Sequence, residues 1–254
     1  SYNGKETLAL SSLSLEIPEA SAATILGRNG SGKTTLLFVL LGMLPPHKGT
    51  ILFDGKSRGE HQACGTSCLT GLVPQEEHIP FEFSVREYVL LGRAPHLGIL
   101  QTPDAQDYHI AQHAIETTGL GPCADRPVSS LSGGERQLAT IARAVAQRPR
   151  VLLLDEPTSH LDLNNTQCVL GLVRRLADDG VTVVLTTHDP NTAVAVADFA
   201  VLLRQGATVA AGSAAEVMTS YNLSATYGIP VDVAYLQGRS VVLPLAPSRA
   251  APCR

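Results

Sequence analysis

The run GRNGSGKTT at residues 27–35 restricts what this chain can fold into more than any other stretch. It fits G-x-x-x-x-G-K-[ST] in full, with Gly27, Gly32, Lys33 and Thr34 at the fixed positions. Glycines allow successive backbone N–H groups to turn inward onto phosphate oxygens. A helix starting at Lys33 adds the positive end of its dipole. The apolar run AATIL just before it reads as a buried strand, and residues 33–44 read as a helix stopped by Pro45 and Pro46. Strand, loop and helix in that order require an α/β sheet. Lys33 is suited to the β- and γ-phosphates of a nucleotide, and the Thr34 hydroxyl to a Mg²⁺ ion. The alternative is a glycine turn that happens to carry Lys-Thr, which leaves the flanking strand and helix unexplained.

The remaining periodicity extends this plan. GTILFDG (49–55) alternates between glycines and reads as an antiparallel strand, and LTGLVPQ (69–75) as a further strand stopped by Pro74. Residues 84–146 carry helical signals interrupted at Pro95, Pro103 and Pro122. RVLLLD (150–155) and VTVVLTT (181–187) are the continuous apolar strands of a parallel sheet buried on both faces. A helix between them makes a right-handed βαβ crossover. Residues 199–212 read as a hairpin turning at Gly206, and the Pro- and Ala-rich tail after Pro244 reads as loose. The expected organisation is a sheet core formed by residues 1–83 and 150–254, with an inserted helical unit at 84–149.

Composition removes several function classes. The 254 residues carry a formal net charge of −4, which does not favour a nucleic-acid partner. No apolar run approaches the ~18–20 residues of a membrane span, and the opening residues do not read as a signal peptide. Five cysteines are simplest as reduced thiols. Cys64 and Cys68 with His61 could form part of a metal site, but a fourth ligand at sensible spacing is missing.

Several side chains fall where open α/β sheets place ligands, beyond the C-terminal ends of strands. Asp155 ends VLLLD and is suited to hold Mg²⁺, with a helix cap as the alternative. Glu156 beside it can orient and polarise an attacking water, the task of a general base; otherwise it is an exposed acid at a strand end. His188 follows VTVVLTT and can sense or stabilise a γ-phosphate. Gln75 follows a strand in the same way, although alone it carries little signal.

LSGGE (131–135) poses a different question. Ser132 and Glu135 fit a helix capping box, and Leu138, Ile141, Ala142 and Val145 continue an amphipathic helix. A cap needs no glycines, and each Gly inside a helix costs roughly 0.8–1.0 kcal/mol relative to Ala. Close approach of a ligand to bare backbone at Gly133 and Gly134 would account for them. The second loop belongs to the inserted helical unit, so the simplest geometry is two copies pairing head to tail. Each copy's Ser132 loop then covers the nucleotide on the other's lysine loop.

The set GRNGSGKTT, LVPQ, LSGGE, VLLLDEPTSHLD and TTH, in this order, resembles the ATP-binding subunit of an ABC transporter over nearly the whole chain. The resemblance implies a P-loop NTPase core with an antiparallel β subdomain and a helical subdomain. It implies ATP and Mg²⁺ as ligands, with Asn29, Gly30, Ser31, Gly32, Lys33, Thr34 and Thr35 as the nucleotide-binding run and Gln75 as the Q-loop residue. Ser132, Gly133 and Gly134 become the signature contacts to the opposite ATP, Asp162 the D-loop acid and His188 the switch histidine. Tyr2 matches the aromatic that stacks on adenine. Residues 81–98 and 227–245 are similar to importers of iron–siderophores, haem, cobalamin and molybdate or tungstate, and 186–198 is nearest to the molybdate and tungstate members. The implied partners are a second copy, a polytopic membrane permease and, indirectly, a periplasmic or extracellular substrate-binding protein. The implied location is the cytoplasmic face of the inner membrane. LSGGE in place of LSGGQ and His160 in the D-loop are small departures. A cassette acting on ribosomes or DNA is the main rival, an ATP sensor and a small-molecule kinase the lesser ones.

Overall fold

The apolar runs pair side by side into one sheet. The computed structural model describes residues 8–57, 60, 69–77, 79, 82–98 and 100–245. Tyr2, His61, Cys64, Cys68 and the tail beyond residue 245 lie outside them. The strands are β1 (Ala22–Leu26), β2 (Leu52–Phe53), β3 (Lys56–Ser57), β4 (Thr70–Val73), β5 (Val151–Leu154), β6 (Thr182–Thr187), β7 (Phe199–Arg204), β8 (Ala207–Ser213), β9 (Val231–Leu236) and β10 (Arg239–Pro244). The α-helices are α1 (Lys33–Leu41), α2 (Val85–Leu90), α3 (Ala105–Thr117), α4 (Gly133–Ala146), α5 (Leu163–Asp178), α6 (Pro190–Val196), α7 (Ala214–Val217) and α8 (Ser220–Tyr227).

The main sheet runs β4-β5-β6-β1-β7-β8, with β8 antiparallel to β7 and every other pairing parallel. Alternation along each strand divides its side chains between two buried faces. Ala22, Leu152, Leu154, Val183 and Leu185 pack with Val169 and Val173 of α5 and Ile141 of α4. Ala23, Ile25, Leu153, Val184 and Val201 pack with Leu36 and Leu37 of α1 on the other side. The helix between β5 and β6 is α5, and the two strands are parallel neighbours.

The helical stretch builds a separate core from Val85, Tyr88, Val89, Ile115, Leu120, Ala139 and Ala142. Helix α4 serves both cores, since Ile141 and Ala144 face the sheet cluster while Ala139 and Ala146 face the helical one. Arg93 and Asp107 close the helical core with an ion pair of 2.8 Å, and Arg93 also donates to the Ala146 carbonyl at 2.9 Å. A third cluster joins Leu26, Ala193 and Leu202 to Leu223, Val231 and Val242, seating α8 and the β9–β10 hairpin against the sheet.

Two elements are shorter than expected. Helix α1 stops at Leu41, because Gly42 adopts φ 71° and its N–H closes the helix on Phe38 and Val39 carbonyls. The strand expected over 49–55 is the two-residue pairing of β2 with β3, turning at Asp54 (φ 51°) and Gly55 (φ 71°). That is Asp-Gly turn chemistry. As expected, the prolines of the helical stretch interrupt it: Pro95 and Pro122 lie inside 3-10 turns and Pro103 ahead of the Asp104 cap of α3. The hairpin at Gly206 is as expected, with Gln205 and Gly206 both at positive φ.

Candidate nucleotide site

Parallel pairing aligns the C-terminal ends of four strands on one edge. Leu26 is opposite Thr187, Leu154 opposite Leu185, and Val73 opposite Leu154. The residues that follow those ends are Gly27, His188, Asp155 and Pro74-Gln75. The sheet therefore delivers the lysine loop, Gln75, Asp155 with Glu156 beside it, and His188 to one edge.

The loop has the shape an anion needs. Gly30 (φ 78°) and Gly32 (φ 102°) lie in the left-handed region that favours glycine. A Cβ on Gly27 would lie 2.5 Å from the Leu203 carbonyl oxygen, so only glycine lets the loop lie this close to β7. The Gly206 N–H at the β7–β8 turn donates to the Ser31 carbonyl at 3.0 Å and braces the loop from behind. Gly32 is the N-cap of α1 and provides no side-chain cap, so the first N–H groups of the helix are left for another acceptor. The Ser31 hydroxyl is buried and has no hydrogen-bond partner among the described residues. Open N–H groups, an unpartnered hydroxyl and a buried ammonium suit phosphate oxygens; Thr34 is exposed at the same helix end.

Lys33 Nζ donates to the Gly27 carbonyl at 3.0 Å and pairs with Glu156 Oε1 at 3.2 Å. The two side chains are 5% and 12% exposed, so the charge pair is screened little by solvent. Glu156 Oε2 lies 3.0 Å from His188 Nδ1. Glu156 also sits at φ +46°, a conformation that costs a non-glycine residue of order 1–3 kcal/mol. Its backbone is held there by Thr186, whose Oγ1 accepts from Glu156 N at 2.9 Å and donates to Asp155 Oδ1 at 2.6 Å. Thr186 thus fixes the two acids together. Sequence reading did not single it out; its place in β6, two residues before His188 on the same strand face, was the available signal. Asp155 and Gln75 line one cavity of about 410 Å³ with Phe38, Leu72, Pro74 and Glu76.

The second loop lies elsewhere. Ser132 is the N-cap of α4: its Oγ accepts from Glu135 N at 3.3 Å, and Glu135 Oε2 accepts from Ser132 N at 2.8 Å. That reciprocal bond, with the Ser132 N–H first among its causes, holds the Glu135 carboxyl below its ordinary range. Among the described residues no hydrogen bond or ion pair links Ser132, Gly133 or Gly134 to residues 27–35 of the same chain. The two glycines have different surroundings. A Cβ on Gly134 would fall within 2.2–2.5 Å of the end of the Asn165 side chain, which would have to shift to admit it. A Cβ on Gly133 would meet nothing within 4 Å among the described residues, so packing gives no local cause for that glycine. Asp162 caps α5, accepting from Asn165 N at 2.7 Å, and His160 stands at φ 65° in the turn before it.

A family model described as ABC transporter matches residues 10–159. The molybdate import ATP-binding protein MolC of Haemophilus influenzae is 38% identical over 231 residues, covering 91% of this chain and 86% of that protein. A solved ABC transporter described as metal-chelate type, in an inward-facing conformation, is 37% identical, with a TM-score of 0.81 over 92% of this chain and 90% of its own. The dimeric structure of the bacterial ABC transporter cassette MJ0796 is 28% identical, with a TM-score of 0.70 over 81% of this chain and 90% of its own. With a matching family model over more than half its length and the lysine loop, paired acids and capped serine loop in order, the chain belongs to the ABC transporter family, as an ATP-binding and ATP-hydrolysing cassette.

Proposed function

We propose that the chain is the motor subunit of an importer, peripheral at the cytoplasmic face of the membrane and docked on a separate permease. The observation that carries the mechanism is the edge where Lys33, Asp155, Glu156 and His188 meet, while Ser132 and Gly133, next to Leu131 of the helical core, make no hydrogen bond or ion pair with the lysine loop among the described residues. A site so divided is completed by a second copy. In this reading two chains pair head to tail, and each ATP lies between the lysine loop of one and the Ser132 loop of the other. Among the described residues no helix is long and apolar enough to cross a membrane, in keeping with a separate permease. The cargo class is a metal chelate or an oxyanion, on the strength of the relative and the solved transporter named above, delivered by a substrate-binding protein outside the membrane.

Each side chain takes a role from its position. Asn29, Gly30, Ser31 and Gly32 line the phosphates with backbone N–H groups, and Lys33 balances the β- and γ-phosphate charge. Thr34, Gln75 and Asp155 are the oxygen donors for Mg²⁺, which supplies charge stabilisation at the phosphate oxygens when bound; Thr35 and Asp162 border the nucleotide. Glu156 orients a water and takes its proton as the water oxygen bonds to the γ-phosphorus and the bond to the β–γ bridging oxygen breaks, leaving ADP and phosphate. His188 keeps the Glu156 carboxylate directed at that water. Tyr2 is proposed to stack on adenine. The helical unit 84–149, with its own core, is proposed to move as a body when the pair closes. ATP drives closure because the paired state binds it better than the open one.

The test is size-exclusion chromatography of Glu156→Gln with and without Mg-ATP. An ATP-dependent dimer with phosphate release reduced to background supports the reading. A monomer at every nucleotide concentration contradicts it.

A further inference from the structure

Residues well after His188 in the chain reach back to its loop. The Tyr227 hydroxyl, at the end of α8, donates to the His188 carbonyl at 2.8 Å. The Tyr227 ring packs against the cluster of Leu26, Leu202 and Leu223, so its hydroxyl is held by a packed body. Burial, with the nearby Asp189 charge second, raises the Tyr227 pKa above that of an ordinary tyrosine. A second clasp lies three residues along. Asn191 Nδ2 donates to the Val242 carbonyl at 3.1 Å, and Asn191 Oδ1 accepts from Val242 N at 2.8 Å, tying the start of α6 to β10. Between the clasps, Asp189 accepts from the Asn191 and Thr192 N–H groups at 3.0 and 3.1 Å.

The His188 side chain itself is 55% exposed, and among the described residues it is held by one contact, to Glu156. An exposed imidazole gets little orientation from packing, so its aim depends on where its backbone is fixed. We propose that Tyr227 is a positioning residue for ATP hydrolysis: α8 and the β9–β10 hairpin anchor the 188–191 loop so that His188 faces Glu156. Asn191 is the second anchor. This rests on the role given to His188 above.

The test measures steady-state ATPase kinetics of the full chain. Tyr227→Phe keeps the ring and removes the donor; kcat is expected to fall about three- to ten-fold, the worth of one hydrogen bond, with KM for ATP unchanged. Asn191→Ala is expected to act in the same direction. In a His188→Ala background, Tyr227→Phe is expected to have no further effect, which a merely structural role would not produce. An unchanged kcat in Tyr227→Phe, or an equal drop in the His188→Ala background, overturns the tether alone. An unchanged kcat in His188→Ala by itself overturns the histidine's role and the tether with it.

Discussion

Glu156 and Lys33 are ion-paired within the chain, Oε1 of one 3.2 Å from Nζ of the other. The proposed base and the proposed phosphate ligand therefore share one buried charge. Phosphate oxygens arriving at Lys33 compete with the carboxylate, and the carboxylate they displace is the group needed for the water.

Glu156→Gln removes both the competitor and the base. Turnover should fall by about 10²–10⁴, while ATP affinity rises, because the ammonium is no longer neutralised by an acid. Equilibrium binding of labelled ATP and phosphate release check the two halves separately. Weaker binding in the variant would show that the Lys33 pair supports the site more than it opposes the ligand.

Thr186→Val keeps the shape of β6 and removes the hydroxyl that joins Asp155 to the Glu156 backbone. It leaves the Glu156 N–H without its acceptor, at about 1–3 kcal/mol. The expected outcome is a lower melting temperature, a lower kcat and a higher Mg²⁺ requirement, read from ATPase titrations with the metal. An unchanged metal dependence would separate Thr186 from the Asp155 role.

Gly133→Ala divides folding from function. A Cβ at this position meets nothing within 4 Å, so the fold accepts it, and the helix gains up to ~1 kcal/mol. ATP-dependent pairing should nevertheless weaken and ATPase activity fall at least ten-fold. Thermal melts and activity together check this, and full activity in a stabilised protein would remove the case for a ligand at Gly133.

Asp107 predicts an acid-sensitive helical unit. The Arg93 hydrogen bond, first among its causes, holds the Asp107 carboxyl below its ordinary pKa of 3.8. The ionised form is the stabilised one, so its contribution is full above that value and is lost as pH falls through the lower, folded-state pKa. Urea midpoints should decline across that range, and Asp107→Asn should show less of the decline. At neutral pH the variant should lose about 3 kcal/mol, since the buried Arg93 is left without its acid. Equal slopes for both proteins would assign the acid sensitivity to other groups.

The sheet and the lysine loop were legible because their signals are local. AATIL, RVLLLD and VTVVLTT are apolar runs that only a doubly covered strand explains, and G-x-x-x-x-G-K-[ST] fixes its own loop. Residues 49–55 read as one strand because alternation does not show where a hairpin turns; Asp54-Gly55 is the sign of the turn. Gly134 lies against the Asn165 side chain, a neighbour distant in sequence that no local pattern reveals. Thr186, Tyr227 and Asn191 were not singled out for the same reason: each acts through a partner that only the fold brings near. Tyr2 and the Cys64–Cys68 pair lie outside the described residues.

The most direct measurement is a structure of Glu156→Gln loaded with Mg-ATP. The account predicts a two-fold pair in which each γ-phosphate is reached by Lys33 of one copy and by the Ser132 hydroxyl and Gly133 N–H of the other, within hydrogen-bond distance. A γ-phosphate enclosed by a single chain, with Ser132 remote from every nucleotide, would contradict it.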